Sequence, residues 1–413
     1  MPCNRFYPCV VVAAAVCALA APEFIGAAAA RPECAFERRS YAPGETAVLV
    51  VWSGTATTLR IDHVGYGVTG GRDPLAGEPV APAVPVGRGR RIELPIGDWP
   101  SGLYVARLRG PGGEGLAPFV VRARRLGEHR VAVVLPTNTW QAYNLRDVDG
   151  NGVGDSWYAD SGVASVDLER PYLDGGVPPR FRGYDRGFLR WLALHRIEAD
   201  VLADDDLERV ATGDRLARLY DLIVFPGHEE YVTTHAYDVV ERFRDLGGNL
   251  AFLSSNNFFY RVERRGRLLF KLGRWRDLGR PEAALVGVQY VDWNQNRYPN
   301  RPYRVVGASR ARWLFEGTGL RNGGRFGRYG IEIDARTSRS PRGTHVLARI
   351  RDAFGPGKSA EMTYYETPRG ARVFAAGVMN FGGSALWPGV SRMVENLWRR
   401  LAPPDPQRRS AIP

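Results

Sequence analysis

Two hydrophobic patterns divide the chain. Between residues 34 and about 123, alternating or β-branched runs at 46–52 and 102–108 are separated by Pro- and Gly-rich turns. Short strands at that spacing predict a small all-β sandwich whose last strand is 118–122. From about residue 128 the pattern changes to strand, loop and helix, with mainly apolar strands at 131–136, 200–202, 221–225 and 249–255. A strand covered on both faces carries apolar residues at successive positions, so these predict buried parallel strands. Between them, Phe188, Trp191, Leu192 and His195 share one face of a helix over 184–196. Thr233 or Thr234 can cap a further helix bearing Tyr237, Val240 and Phe243, closed by Gly247-Gly248. Repeated strand–helix alternation predicts an α/β fold, with a doubly wound, mostly parallel sheet preceded by the sandwich. The section from 260 to 380 is mixed, with strands at 362–365 and 373–376, and a final helix is expected at 389–401.

The N-terminus adds a different signal. Arg5, an apolar run at 10–21 and Ala28-Ala29-Ala30 before Arg31-Pro32 have the layout of a cleavable secretory leader. The run is too short to cross a membrane comfortably; an unprocessed tail is the plainer alternative. The expected organisation is a leader at 1–30, a sandwich at 31–123, an α/β region at 124–405 and a disordered tail at 406–413. Export to the periplasm or medium follows from the leader. Cleavage after Ala30 would remove Cys3, Cys9 and Cys17 and leave Cys34, so no internal disulfide is expected.

Charge narrows the partners. Lys+Arg 56 against Asp+Glu 44 gives +12, nearly all of the positive charge being arginine. The arginines are scattered, and no basic block interleaves with aromatics, so a nucleic-acid partner is not expected. Arg122-Ala123-Arg124-Arg125 fits a solvated linker at the domain junction.

Several chemistries are missing from the α/β part. It has no Gly-x-Ser-x-Gly elbow, no cysteine, no P-loop and no Gly-x-Gly-x-x-Gly after its first strand. The expected strand ends carry phenol, carboxylate, imidazole and amide instead. Thr139-Trp140-Gln141-Ala142-Tyr143-Asn144 and Trp157-Tyr158 follow the first strand, Gly227-His228-Glu229-Glu230-Tyr231 the third, and Asn256-Asn257 the fourth. Open α/β sheets place their sites at such ends. Phenolate and carboxylate are hard anionic donors suited to a highly charged cation, and a metal with open positions can polarise a carbonyl or activate water. Tyrosine packing and an acidic helix start would explain the same residues without a site.

These elements resemble the C-terminal catalytic region of the large subunit of N,N-dimethylformamidase. The resemblance rests on Thr139-x-Gln141-Ala142-Tyr143, Ser156-Trp157-Tyr158, Arg170-Pro171-Tyr172, Gly227-His228-Glu229-Glu230-Tyr231, Asn256 with Phe258 and Tyr260, and Tyr364-Tyr365-Glu366-Thr367-Pro368-Arg369-Gly370, in one order over about 128–400. It implies an amidotransferase-like α/β fold and a ferric iron held by Tyr143, Tyr158 and Glu230. It further implies His228 beside the iron, Asn256 orienting substrate or water, and Glu366 as general acid/base. The substrate class would be a small amide or formamide, with a homo-oligomer or a small partner subunit as the assembly. An export leader and a short upstream β domain depart from that family, so the substrate need not be dimethylformamide.

Asp147-Val148-Asp149-Gly150-Asn151-Gly152-Val153-Gly154-Asp155 has the oxygen and glycine spacing of a calcium loop at Asp147, Asp149, Asn151, Gly152 and Asp155. Its twelfth position is Tyr158 rather than a glutamate, and a metal-free polar turn explains it equally. Asp204-Asp205-Asp206 suits a helix start. His63, His129, His195, His235 and His345 are scattered and suggest no His-based zinc site. Trp275, Tyr290, Trp293 and Tyr298 suit core and loop packing. Two other readings stay open: a non-catalytic exported binding protein on the same fold, and a hydrolase using another metal such as zinc.

Overall fold

The computed structural model describes residues 29–67, 71–87, 89–158 and 162–402. All but the last two residues of the expected leader, and the whole 406–413 tail, lie outside the described residues.

Two sheets form first. One pairs Glu33–Phe36, Thr46–Ser53 and Arg91–Pro95. The other runs Ser40–Tyr41, Gly113–Val121, Gly102–Gly110, Thr58–Val64 and Gly77–Pro79, with Val84–Pro85 also on Thr58–Val64. Phe36, Leu49, Ile61, Tyr104 and Phe119 fill the space between them, together with the buried free Cys34.

The central sheet has nine strands. Asp200–Ala203, Val131–Leu135, Leu222–Phe225, Asn249–Phe252 and Arg372–Ala375 run parallel in that spatial order. Successive residues feed opposite cores. Val134, Ile223 and Leu250 pack with Tyr237, Val240 and Phe243 of the helix Thr234–Asp245, whereas Val133, Val224 and Ala251 pack with Phe188, Trp191 and Leu192 of the helix Arg186–Leu194. Two-sided burial is why these strands are apolar beyond their opening residues. Thr233 caps its helix by accepting the N–H of Ala236 at 3.1 Å.

The doubly wound, mostly parallel sheet is not what forms. Beyond Arg372–Ala375 the sheet continues antiparallel through Ala360–Glu366, His345–Ile350, Arg301–Val305 and Arg325–Tyr329. The cause is connection length. Glu366 and Arg372 are joined by a tight turn closed by Thr367 N–H to Ala371 O at 2.8 Å, and so short a link permits only antiparallel pairing. A four-stranded sheet (Ser165–Asp167, Leu268–Arg274, Tyr260–Arg265, Tyr231–Thr233) and a two-stranded one (Gln289–Trp293 with Glu332–Ala335) complete a β-rich molecule of mixed and antiparallel sheets.

The sandwich shares its packing with the rest. Val64, Leu103 and Val105 join the same core as Leu189, Leu192 and Val201. Across this junction the buried Arg39 guanidinium is paired with the buried Asp205 carboxylate, which also meets Arg264 at 2.6 Å. Removing one partner of a buried pair strands the other charge. Asp205→Ala, which strands the buried Arg39 guanidinium, should therefore lower unfolding free energy by about 3 kcal/mol in urea titration; a change under about 0.5 kcal/mol would show that the pair does not hold the junction.

Candidate functional site

Four loops at the carboxyl ends of the parallel strands are tied to one another by hydrogen bonds that each involve the backbone. The helix Thr137–Ala142 leaves the first strand. Its Thr139 hydroxyl accepts the N–H of Glu230 at 3.0 Å, and Asp204 accepts Asn138 N–H at 2.7 Å. The N–H groups of Phe259 and Tyr260 reach Glu230 O at 3.1 and 2.9 Å, joining the third loop to the fourth. Arg170, almost wholly buried, donates to the carbonyl oxygens of Gln141 and Asn144 at 2.8 and 2.9 Å. It thereby satisfies the free end of the helix just where Tyr143 emerges.

This lacing gathers Tyr143, His228, Glu230 and Asn256. The Tyr143 ring meets the His228 ring edge-on at 5.3 Å, and its phenol is in hydrogen-bonding reach of Glu230. His228 Nε2 and Glu230 Oε2 lie 3.3 Å apart. Neither atom has a hydrogen bond, and neither does Asn256 Oδ1. Burial holds His228 down at about 3, so its imidazole is neutral. Burial also pushes Glu230 up to about 8, against the opposing influence of the Tyr143 phenol and the Lys271 ammonium.

Two further residues join them that sequence reasoning missed. Asn256 Nδ2 donates to Glu332 Oε2 at 2.8 Å, and Asn256 N–H to both oxygens of Asp334 at 2.9 Å. Burial, then the charge of Glu230, raises Glu332 to about 8. Tyr184 brings a third phenol, its ring 6.5 Å from that of His228. Burial and the Glu332 charge raise it. Tyr158 stacks on Tyr143 at 4.9 Å but is 54% exposed.

The backbone is strained at the same places. Asn256 has φ +54, Phe258 +58 and Ile331, next to Glu332, +72. Asparagine tolerates this region, but a β-branched residue there is an outlier costing about 1–3 kcal/mol. Such strain persists only where surrounding bonds fix it, here those that deliver Asn256 and Glu332.

A family model described as N,N-dimethylformamidase beta subunit-like, C-terminal, matches residues 89–389. The chain belongs to that family. No curated protein matches it. Among solved structures it is similar to an mmIFT52 N-terminal domain at 11% identity, covering 50% of this chain and 86% of that one, TM-score 0.31. It is also similar to a Paenibacillus sp. cycloisomaltooligosaccharide glucanotransferase at 10% identity, covering 54% and 44%, TM-score 0.16.

Within this family member, Glu366 stands apart from the other expected site residues. It pairs with Arg372 at the start of the last parallel strand, whereas the site lies beyond the other end, past Ala375. Three residues of strand separate Arg372 from Ala375, about 10 Å. Half-exposed there, Glu366 accepts from Tyr364 at 2.5 Å and faces Arg400 at 3.5 Å. The Asp147–Asp155 loop also lies outside the lacing. Carboxylate oxygens of Asp147, Asp149 and Asp155 lie within 4.8 Å of one another. Asp147 accepts the N–H groups of Gly150 and Gly152 at 2.7 and 2.8 Å, Asn151 Oδ1 that of Val153 at 2.8 Å, and Asp155 that of Val148 at 2.8 Å. Those bonds account for the turn by themselves. A cavity of about 640 Å³ between sandwich and α/β part, lined by His63, Trp99 and Glu198, is remote from these groups.

Gly227 fits because nothing larger would. A Cβ there would lie 1.9 Å from Asp185 Oδ1, and Asp185 directly follows Tyr184. Gly227→Ala should cost about 1–3 kcal/mol of stability. Adding Asp185→Ala should recover most of it in a double-mutant cycle; additive losses would mean the two positions do not meet.

Proposed function

We propose that the chain hydrolyses the C–N bond of a small amide or formamide, with a ferric iron held by Tyr143, Glu230 and a second phenol. What carries this reading is the gathering of phenols, a carboxylate, a neutral imidazole and an amide oxygen in one enclosed place, three of their atoms lacking any hydrogen bond. Buried polar atoms are ordinarily satisfied, and two carboxyls raised by burial stand side by side, one of them eased by the Lys271 ammonium. A hard cation supplies what both facts demand. Tyr184 suits the second phenolate better than Tyr158, because Tyr158 is half open to solvent. When bound, the ion would polarise the amide carbonyl and increase the acidity of water.

The protein's own groups would do the rest. Glu332, aligned by Asn256 Nδ2, takes the proton of the attacking water and returns it to the departing nitrogen. A carboxyl raised by burial suits both halves of that exchange. Asn256 Oδ1, unpaired, can accept an N–H of an unsubstituted or monosubstituted amide. This gives to Glu332 the acid/base part that the resemblance assigned to Glu366. Export through the leader and a small partner subunit or self-association belong to the same proposal. Among the described residues no helix is long and apolar enough to cross a membrane.

Metal content and formamide turnover of purified variants test the assignments together. Tyr143→Phe, Tyr184→Phe and Glu230→Ala should lose iron and its visible charge-transfer band, while Tyr158→Phe should keep both. Glu332→Gln should keep iron and lower kcat by about 10²–10⁴-fold, and Glu366→Gln should change it little. Iron retained with full activity in Glu230→Ala would defeat the proposal; zinc in the wild type would favour a different hydrolase, and a metal-free protein a binding function.

A further inference from the structure

Arginine lines a cleft of about 470 Å³ on the antiparallel half of the central sheet. Its walls carry Arg301, Arg304, Arg325, Arg349 and Arg351, with Val306 and Ile350 among them. Three of these arginines stand in one row. Arg304 lies directly opposite Arg325 on one neighbouring strand and opposite Arg349 on the other. With strands about 4.8 Å apart, the row spans about 10 Å. Like charges placed directly opposite one another destabilise a sheet.

The counter-charges are unequally shared. Arg349 is paired with Glu361 at 2.5 Å, and Arg351 lies 3.6 Å from Asp352. Arg301 donates to the backbone oxygens of Arg351 and Asp352 at 3.0 Å each. The side chains of Arg304 and Arg325 have no hydrogen bond or ion pair with any described residue. Two free guanidinium forks therefore stand side by side at a concave surface.

We propose that this cleft binds a compact ligand bearing two or more phosphate or sulfate groups. Guanidinium forks match tetrahedral oxyanions through paired N–H bonds, and neighbouring forks match neighbouring anionic groups. The volume suits a small molecule. No aromatic ring lines the cleft for base stacking, and Pro302, Val306 and Ile350 offer too little apolar surface to enter a bilayer. The strands involved are not those that carry the proposed metal pocket, so this site stands or falls independently of the amide chemistry.

Calorimetric titration of the full chain with sodium tripolyphosphate, and separately with sucrose octasulfate, at physiological salt tests this and separates phosphate from sulfate. At least one probe should bind, about tenfold or more tighter than to Arg304→Ala/Arg325→Ala. Arg304→Gln/Arg325→Gln should behave alike, and both pairs should melt no lower than wild type without ligand. Arg215→Ala/Arg218→Ala, on a distant helix, should bind as wild type does. Absence of binding by both probes, undiminished binding in the cleft variants, or equal loss in the distant pair would overturn the proposal. So would Arg304-dependent binding of duplex DNA or phosphatidylglycerol vesicles tighter than that of either small anion.

Discussion

The structure around Glu230 depends on enclosing more negative and electron-rich groups than the protein can neutralise. Glu230 and Glu332 face one another's charge, with Tyr143 and Tyr184 beside them, and Lys271 is the cation whose charge reaches Glu230. Each unsatisfied buried polar atom costs about 1–3 kcal/mol, so His228 Nε2, Glu230 Oε2 and Asn256 Oδ1 are a standing debit of several kcal/mol. The surroundings tolerate this because the groups are fixed from behind. Thr139, the backbone of residues 258–260 and Arg170 hold the loops, and the two-sided core beneath holds the strands that launch them. Positive φ at Asn256 and Ile331 belongs to the same pattern of local cost sustained by global packing.

Much of this was legible in the sequence. The parallel strands were visible because burial on both faces leaves no polar position beyond their opening residues, and the helix Thr234–Asp245 announced itself by its cap and closing glycines. Tyr143, His228, Glu230 and Asn256 follow directly from those strands, so locating the strands located the groups. Of the antiparallel half only the strand at 362–365 was legible, without its partners. Strands such as Arg301–Val305 and Arg325–Tyr329 have one charged face and one buried face, and nothing local declares which neighbour they pair with. Glu332 was hidden for that reason. It sits in Ile331-Glu332-Ile333-Asp334, whose alternation looks like a half-exposed strand, although Asp334 is in fact buried against the Asn256 N–H. Acids alternating with isoleucine were the available signal. Tyr184 ends the short helix Phe181–Tyr184, rich in Arg and Gly with no apolar period, and only the fold carries it to His228. Glu366 was misleading in the opposite sense: a glutamate before Thr-Pro-Arg-Gly belongs to a tight hairpin, and that hairpin puts it at the far end of the sheet.

Charge is distributed in two extremes. The pocket at the strand ends has anionic groups short of cations, while the cleft on the antiparallel half has guanidinium groups short of anions. A net charge of +12 does not by itself predict either feature, because both arise from register and burial rather than composition. Each is a place where the folded protein lacks an oppositely charged companion, and each lies on strands the other does not use.

Diffraction from crystals of the purified protein at the iron absorption edge addresses the central claim most directly. The account predicts an anomalous peak within bonding distance of the Tyr143 phenol and the Glu230 carboxylate, with Tyr184 rather than Tyr158 as the second phenol. A pocket with no such peak in protein grown with ample iron, its two carboxyls satisfied by water alone, would contradict it.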